Sequence, residues 1–382
     1  MGLFLPRIAA AALLLFALTL VACGDDNSAD DDPCQDQPAT CAGYEAMGPH
    51  PVGVRDVEIE GHQVAIFYPA TDELSACSGD FAYDMRQFLP ADQQDEISDD
   101  EAPFFELRAH LDAEPAADQQ FPLVLFSHGL AGYRFQSSTL LAHMASWGMV
   151  VASAEQPERN LARILTEFFP DGDNTPETMN TLATVLLDAD GDRADLEPIT
   201  DIIDGDNLAA TGHSMGGNGA QSMLQHPAID AAIFLASDVD VDDDDNPHGA
   251  ELMWQAGGTD GIIRAHRIRG SYDEAAAPKS FINLEEAGHL AFSDICAIGA
   301  DEGGILQIAQ DAGIDVPTLI QGLADDGCRD TDLQPHIAWP IIHHYAVAHL
   351  RLAFGIDDSP QGLDEQSLSC FDDAQLEWDS QP

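Results

Sequence analysis

The chain has 382 residues, and its 45% of hydrophobic and 21% of charged residues are ordinary for a globular protein with a substantial core. Its charge is unusual, because 68 acidic side chains face 14 basic ones and give a formal net charge of -54. A surface this negative repels nucleic acid phosphates and anionic lipid head groups, so we expect neither as a partner. The acidic residues predict a solvated coat that keeps the protein soluble in salt, or specific cation binding by acidic loops.

The first residues have the pattern of an export signal. Arg7 precedes Ile8 to Leu20, an uncharged apolar run that is too short to span a bilayer but typical of a signal peptide. The run ends in Leu20-Val21-Ala22-Cys23, which resembles a bacterial lipobox. The resemblance implies a lipid on the Cys23 sulfur as the only membrane attachment, and a place in the bacterial cell envelope facing the periplasm or the exterior. An ordinary signal peptide followed by a disulfide cysteine is the alternative.

Six cysteines follow Cys23, an even number, and no CxxC pattern occurs among them. Export favours disulfides, so we expect three of them. Six cysteines allow many pairings, of which we favour Cys34–Cys41, Cys296–Cys328 and Cys77–Cys370.

The predicted elements alternate along the chain. Strands over 52–59 and 63–68 form an antiparallel hairpin, and 75–120 is irregular and acidic. Buried strands then follow over 122–127, 149–153, 207–211, 231–236, 251–256 and, as the last, 280–284, with helices over 137–147, 178–187, 218–225 and 339–354. Apolar strands separated by helices predict a parallel sheet with right-handed crossovers.

These elements predict one doubly wound, mostly parallel α/β domain over 43–376. We expect a signal peptide over 1–22 and a flexible acidic tether over 23–42 before it. Two helical segments, about 157–205 and 294–336, are predicted to be insertions into the sheet domain near its active site.

The strongest motif is Gly212-His213-Ser214-Met215-Gly216-Gly217, which follows a short apolar strand and precedes a helix. This context is what a nucleophile elbow requires, a turn so tight that the residues flanking the serine must be small. We therefore predict that Ser214 is the nucleophile and that the Met215 amide donates to the oxyanion. The His213 ring occupies the variable position of the motif and is not expected to be the base.

A second motif, Ser127-His128-Gly129-Leu130, also follows a buried strand. In proteins with a nucleophile elbow, the loop after that strand donates the other oxyanion amide. We predict Leu130 as this donor, with Gly129 allowing close approach of the backbone. A simple glycine turn is the alternative.

A serine nucleophile needs a base and a carboxylate that holds the base, in the chain order serine, acid, histidine. His289 follows Gly288 just past the last predicted strand, and we predict it as the base. Asp260 follows the preceding strand, 251–256, and is the predicted acid. Asp238 also follows a strand and is the runner-up.

The segments that carry a family resemblance are Gly48-Pro-His-Pro-Val-Gly-Val-Arg55, Ile66-Phe-Tyr-Pro-Ala70, Phe126-Ser-His-Gly-Leu130, Gln136-Ser-Ser138, Gly212-His-Ser-Met-Gly-Gly217, Gly258-Thr-Asp260 and Ala287-Gly-His289. With them the chain resembles, over about 49–292, the α/β-hydrolases that include type II platelet-activating-factor acetylhydrolases, dienelactone-hydrolase-like proteins and cutinase-like bacterial polyester hydrolases. The resemblance implies an α/β-hydrolase fold, the triad Ser214, Asp260 and His289, oxyanion amides at Leu130 and Met215, and no required cofactor.

The segment Asp188-Ala-Asp-Gly-Asp192 looks like half of a calcium loop. It lacks the glycine at the sixth position and the glutamate at the twelfth, so it is not an EF-hand. Asp188, Asp190 and Asp192 are weak candidates for calcium ligands, and a solvated loop is the alternative.

Together these features predict a secreted, lipid-anchored and monomeric serine hydrolase that acts on a small-molecule or polymeric carboxylic ester. The alternatives are a polyester hydrolase or lipase, a phospholipid acetylhydrolase, and a non-catalytic binding lipoprotein on a hydrolase scaffold. A disulfide-closed helical insertion just after His289 predicts a covered cleft, whereas polyester hydrolases usually have open ones.

Overall fold

The computed structural model describes residues 41–167, 174–188 and 193–382. The predicted signal peptide, the predicted lipidation site Cys23 and most of the predicted tether lie outside these residues. Asp190 and Asp192, two of the three calcium candidates, lie outside them as well.

A ten-stranded sheet, in the order β12-β11-β10-β9-β8-β6-β7-β2-β1-β5, organises the molecule. The strands of the chain are β1 Val52–Ile59, β2 His62–Pro69, β3 Phe81–Asp84, β4 Phe104–Leu107, β5 His110–Leu111, β6 Phe121–Ser127, β7 Val150–Ala154, β8 Ile203–His213, β9 Ile229–Leu235, β10 Glu251–Gly257, β11 Lys279–Leu284 and β12 Leu376–Gln381. Strands β6 to β11 pair in parallel, whereas β1 with β2, β2 with β7 and β11 with β12 pair antiparallel. The predicted hairpin and the predicted mostly parallel sheet are confirmed.

Helices cover both faces of this sheet. They are α1 Ser138–Ser146, α2 Leu161–Thr166, α3 Thr175–Leu186, α4 Glu197–Thr200, α5 Gly217–Met223, α6 Ala265–Glu274, α7 Ile305–Asp311, α8 Thr318–Ala324 and α9 Pro335–Ala353. Among the described ranges, no helix combines the length and the apolar character that crossing a bilayer needs.

The alternating side chains of the strands build two apolar layers. In β6, Val124 and Phe126 join the layer that includes α1 and α9, whereas Leu123 and Leu125 join the layer that includes α3, α5 and α6. Successive strand residues point to opposite faces, and every residue of β6 is buried. A continuous apolar run is therefore the sequence pattern that this central strand requires.

The structure corrects three predicted elements. Strand 280–284 is not the last, because β12 pairs antiparallel with β11 and reaches beyond residue 376. This edge strand is half-exposed and largely polar, so no hydrophobic pattern marks it. The segment 75–120 is not wholly irregular, since it contains β3, β4 and β5. Helix α9 begins at Pro335 rather than Trp339, since proline is favoured in the first turn of a helix.

Two of the three predicted disulfides are wrong. Cys296–Cys328 forms as predicted, but Cys41 pairs with Cys370, which rules out Cys34–Cys41 and Cys77–Cys370. Cys77 is also disulfide-bonded. The Tyr44 amide donates to Nδ1 of His344 in α9, 3.2 Å away. This hydrogen bond holds the first described residues against the carboxyl-terminal helix. Sequence proximity of cysteines carries no information about this tertiary contact.

Several buried histidines make the fold sensitive to acid. Burial lowers the pKa of His128 and His213 to about 3, and that of His143 and His349 to about 4, because the charged imidazolium would lose its water. An unfolded histidine has a pKa of about 6.5, so below this pH the unfolded chain takes up protons that the folded chain does not. The stability that these rings contribute is present above about pH 6.5 and is lost progressively as the pH falls.

We therefore expect the free energy of unfolding, measured with urea in about 1 M NaCl to screen the acidic surface, to fall from pH 7 to pH 5. His349→Gln should remove about 2 kcal/mol of this fall. His266→Gln on the exposed side of α6 is the matched control and should leave the fall unchanged. A stability that stays constant or rises between pH 7 and pH 5 would contradict this interpretation.

Candidate active site

The predicted triad residues and the loop that contains Leu130 follow the carboxyl ends of four parallel strands, with β9 between β8 and β10. Ser127 ends β6, Ser214 follows β8, Asp260 follows β10 and His289 follows β11. In an open parallel sheet these ends lie along one edge, which is where such folds bind ligands. The order of the strands therefore gathers residues that are far apart in the chain.

The turn at Ser214 has the geometry of a nucleophile elbow. Ser214 has a φ of 54°, in the left-handed region that residues other than glycine rarely adopt. A Cβ atom at Gly212 would lie 2.1 Å from the Gly216 oxygen, and one at Gly216 would lie 1.9 Å from the Ser127 oxygen. Backbone atoms thus occupy the space of both missing side chains, and glycine is required on each side of the serine.

The amides of Leu130 and Met215 are the predicted oxyanion donors. A Cβ atom at Gly129 would be 3.1 Å from the Ser214 Cβ, so the loop after β6 passes directly over the serine. The Leu130 N–H donates no hydrogen bond to any residue that the structure describes. Met215 is the second residue of the 3₁₀ turn Ser214–Gly216, where N–H groups have no partner within the helix.

The loop after β6 is held by side chains that the sequence did not single out for this task. His128 Nε2 accepts the Gln156 N–H at 3.0 Å, so its Nδ1 carries the proton and donates to the Gly129 oxygen at 2.8 Å. The buried Arg159 donates to the His128 oxygen at 2.7 Å. Because the pKa of His128 is lowered to about 3 by burial, its neutral form holds this loop at working pH.

Asp260 and His289 form a buried pair. Asp260 Oδ2 lies 2.8 Å from His289 Nδ1, and Oδ1 accepts the N–H groups of Ile262 and Ile263 at 2.7 Å each. The carboxylate is thereby fixed by three donors and orients the imidazole. The runner-up Asp238 instead forms an ion pair with Arg267.

His213 connects the elbow to the loop of His289. Its Nε2 donates to the His289 oxygen at 3.0 Å, and its Nδ1 accepts from the Gln136 side-chain amide at 2.8 Å. The Gln136 oxygen in turn accepts the Gly129 N–H at 3.2 Å. Burial lowers the pKa of His213 to about 3, so this ring is neutral and serves as a structural link rather than as a base.

Ser214 and His289 line one cavity of about 90 Å³. Within the described residues, the Ser214 hydroxyl makes no hydrogen bond in the absence of substrate. Contacts between a nucleophile and its base are often long in unliganded enzymes and shorten when the substrate binds. With Nδ1 of His289 bound to Asp260, the imidazole has Nε2 for a proton from the serine.

Aliphatic side chains from both predicted insertions complete the cavity. They are Leu161 and Leu165 from the first insertion, and Ile295, Ile305, Leu306, Ala309, Ile314, Val316, Ile320, Leu323 and Ala324 from the second, 294–336, which we call the cap. Among the described residues, no aspartate, glutamate, lysine or arginine lines the cavity. The space beside the serine therefore suits an uncharged, apolar group.

The remaining calcium candidate, Asp188, is exposed after α3. No group of three or more histidine, cysteine or acidic side chains lies close enough to hold a metal ion in the part of the chain that the structure describes.

Residues 42–185 match the model of the family described as platelet-activating factor acetylhydrolase, isoform II. The resemblance to this family is therefore confirmed over that part of the chain. The matched segment contains the predicted oxyanion donor Leu130 and ends before Ser214. The three predicted triad residues all lie outside it.

We expect alanine to have opposite effects on the free energy of unfolding at Gly216 in the elbow and at Gly270 in α6. Gly216→Ala should lower the free energy of unfolding by on the order of 3 kcal/mol, because its Cβ meets the Ser127 oxygen. Gly270→Ala in α6 is the matched control, since no described residue outside the adjoining backbone of its own helix comes within 4 Å of the added Cβ, and it should stabilise the helix by about 1 kcal/mol. Urea unfolding of both variants measures the difference. An unchanged stability of Gly216→Ala would show that the turn is looser than described.

Proposed function

We propose that the protein is a serine hydrolase of carboxylic esters on an α/β-hydrolase fold, with Ser214, His289 and Asp260 as its triad. The observation that carries this proposal is the buried Asp260–His289 pair, 2.8 Å apart, whose histidine lines the same cavity as the strained elbow serine. The family match over 42–185 supports ester hydrolysis independently.

The reaction begins when the Ser214 oxygen attacks the ester carbonyl and His289 Nε2 takes the serine proton. Asp260 holds the imidazole and stabilises its charged form, and the Leu130 and Met215 N–H groups donate to the developing oxyanion. His289 then gives the proton to the leaving alcohol, which departs as the acyl-enzyme forms.

Water completes the cycle. His289 removes a proton from a water molecule, which attacks the acyl carbon and passes through a second oxyanion in the same hole. The acid product leaves, and the proton returns to Ser214. The chemistry requires no cofactor, and we propose none.

The cavity lining supports an ester with an aliphatic acyl group. The lining is mostly aliphatic, no aspartate, glutamate, lysine or arginine of the described residues belongs to it, and the cap supplies a large part of it. A polymer chain needs an open cleft, so this arrangement favours a small-molecule ester over a polyester. A phospholipid with a short acyl group is the second candidate, because the matched family acts as acetylhydrolases of platelet-activating factor.

We further propose that the enzyme is an exported monomer, anchored to the bacterial cell envelope by a lipid on Cys23. The lipobox-like segment before Cys23 supports this placement. The disulfides Cys41–Cys370 and Cys296–Cys328 support it too, because disulfides persist mainly in oxidising compartments.

Ser214→Ala should lower kcat for p-nitrophenyl butyrate by at least about 1000-fold, because no other group replaces the nucleophile. It should also abolish covalent labelling by a fluorophosphonate probe. Ser222→Ala in α5, whose hydroxyl bonds the Gly219 oxygen and no other described residue, is the matched control and should keep both. A wild-type protein that neither hydrolyses the ester nor takes up the probe would indicate a non-catalytic binding protein.

The cavity predicts a preference for short to medium acyl chains. For p-nitrophenyl esters we expect kcat/KM to rise about fourfold per methylene from acetate until the cavity is filled, because each buried methylene contributes about 0.8 kcal/mol. Longer chains should then lose activity. Ile320→Ala should move the optimum to longer chains, whereas Leu319→Ala, one residue away and 56% exposed, should not.

Measuring kcat/KM for the same ester series in low and in high salt distinguishes the effect of the cavity on acyl preference from any effect of the acidic surface on activity. Salt should change kcat/KM by the same factor for every ester, since the esters are neutral and the cavity lining is uncharged. An optimum at long chains in wild type, or an equal shift by both variants, would contradict the assignment of the cavity as the acyl site.

A further inference from the structure

The cap lines the cavity and also provides a carboxylate, that of Asp326, which bonds the main chain at His289. Asp326 is only 4% exposed. Its Oδ1 accepts the His289 N–H at 2.8 Å, and its Oδ2 accepts the Gly261 N–H at 3.0 Å. One carboxylate therefore joins the loop of the predicted base to the loop of the predicted acid.

The backbone around Asp326 contacts the loop of His289 directly. The Asp326 carbonyl accepts the Leu290 N–H at 2.8 Å. A Cβ atom at Gly288 would lie 2.4 Å from the Gly327 nitrogen, and Gly327 has a φ of 105°. The two loops thus meet without an intervening side chain, a contact that only glycine at both positions allows.

The turn that presents Asp326 is itself fixed. The disulfide Cys296–Cys328 closes the cap two residues beyond Asp326. The Gly327 N–H donates to Asp332 Oδ2 at 3.0 Å. The carboxylate is therefore held in place by covalent and hydrogen-bonded neighbours before any substrate binds.

His289 is consequently held on three sides. Its N–H is bound by Asp326, its carbonyl by His213 and its Nδ1 by Asp260. The first two contacts fix the backbone, and the third fixes the ring. Together they determine where Nε2 points relative to Ser214.

We propose that Asp326 is a positioning residue for the hydrolytic reaction, which sets the loop of Asp260 and the loop of His289 at a fixed separation. The cap is then part of the catalytic frame as well as a wall of the acyl cavity. This inference rests on the proposed function. A misplacement of a catalytic group by about 1 Å can cost about 100-fold in rate, so two lost hydrogen bonds at this point have a measurable effect.

Three variants test the role of Asp326. Asp326→Asn keeps one acceptor for the two N–H groups, and Asp326→Ala keeps none. Asp325→Asn is the matched control, because the Asp325 side chain is 57% exposed and, within the described ranges, pairs with Arg329 alone. Active sites are first counted by titration with a fluorophosphonate, and kcat and KM for p-nitrophenyl butyrate are then measured per titrated site.

We expect kcat per site to fall about 10-fold in Asp326→Asn and about 100-fold in Asp326→Ala, with KM within about twofold of wild type. Asp325→Asn should match wild type in both constants. Counting sites first excludes unfolded protein from the comparison, and Asp326→Asn carries the test if Asp326→Ala does not fold.

An Asp326→Asn protein with fewer titratable sites but the wild-type kcat per site would overturn the inference, because Asp326 would then serve folding alone. A change confined to KM would also overturn it, since the cap would then only line the cavity. Failure of the proposed function is distinguishable, because wild type would then lack Ser214-dependent hydrolysis before any cap variant is compared.

Discussion

Close contact between backbone atoms at the end of β8 is the constraint on which the site depends. Because Gly216 packs against the Ser127 carbonyl and Gly212 against the Gly216 carbonyl, the chain turns sharply enough to hold Ser214 at a positive φ. The same contact places the β6 loop over the serine. A side chain at either glycine would separate Ser214 from the loop that carries the proposed oxyanion donor Leu130.

The groups that complete the site around Ser214 come from separate parts of the chain. Hydrogen bonds of buried side chains connect them. His213 links the elbow to the His289 carbonyl, and Asp326 links the His289 amide to the loop of Asp260. The low pKa of His213 keeps its link uncharged.

The sequence predicts the parts of this arrangement that are local. The elbow is a run of six residues, and the strand-end positions of Asp260 and His289 follow from hydrophobic runs, so these residues could be proposed without a structure. The pairing of Cys41 with Cys370 and the polar edge strand β12 depend on tertiary contacts that leave no local pattern. Asp326 is 37 residues from His289 and is one of 68 acidic residues, so only the fold distinguishes it.

In the proposed mechanism Ser214 becomes acylated during turnover, and rapid acid quenching during hydrolysis of p-nitrophenyl butyrate preserves the acylated protein. Peptide mass spectrometry of the quenched protein locates any acyl group. This mechanism predicts an added butyryl group on the peptide that contains Ser214, and none on that peptide in Ser214→Ala. A butyryl group on another residue at equal occupancy in both proteins, or turnover without any acylated peptide, would contradict it.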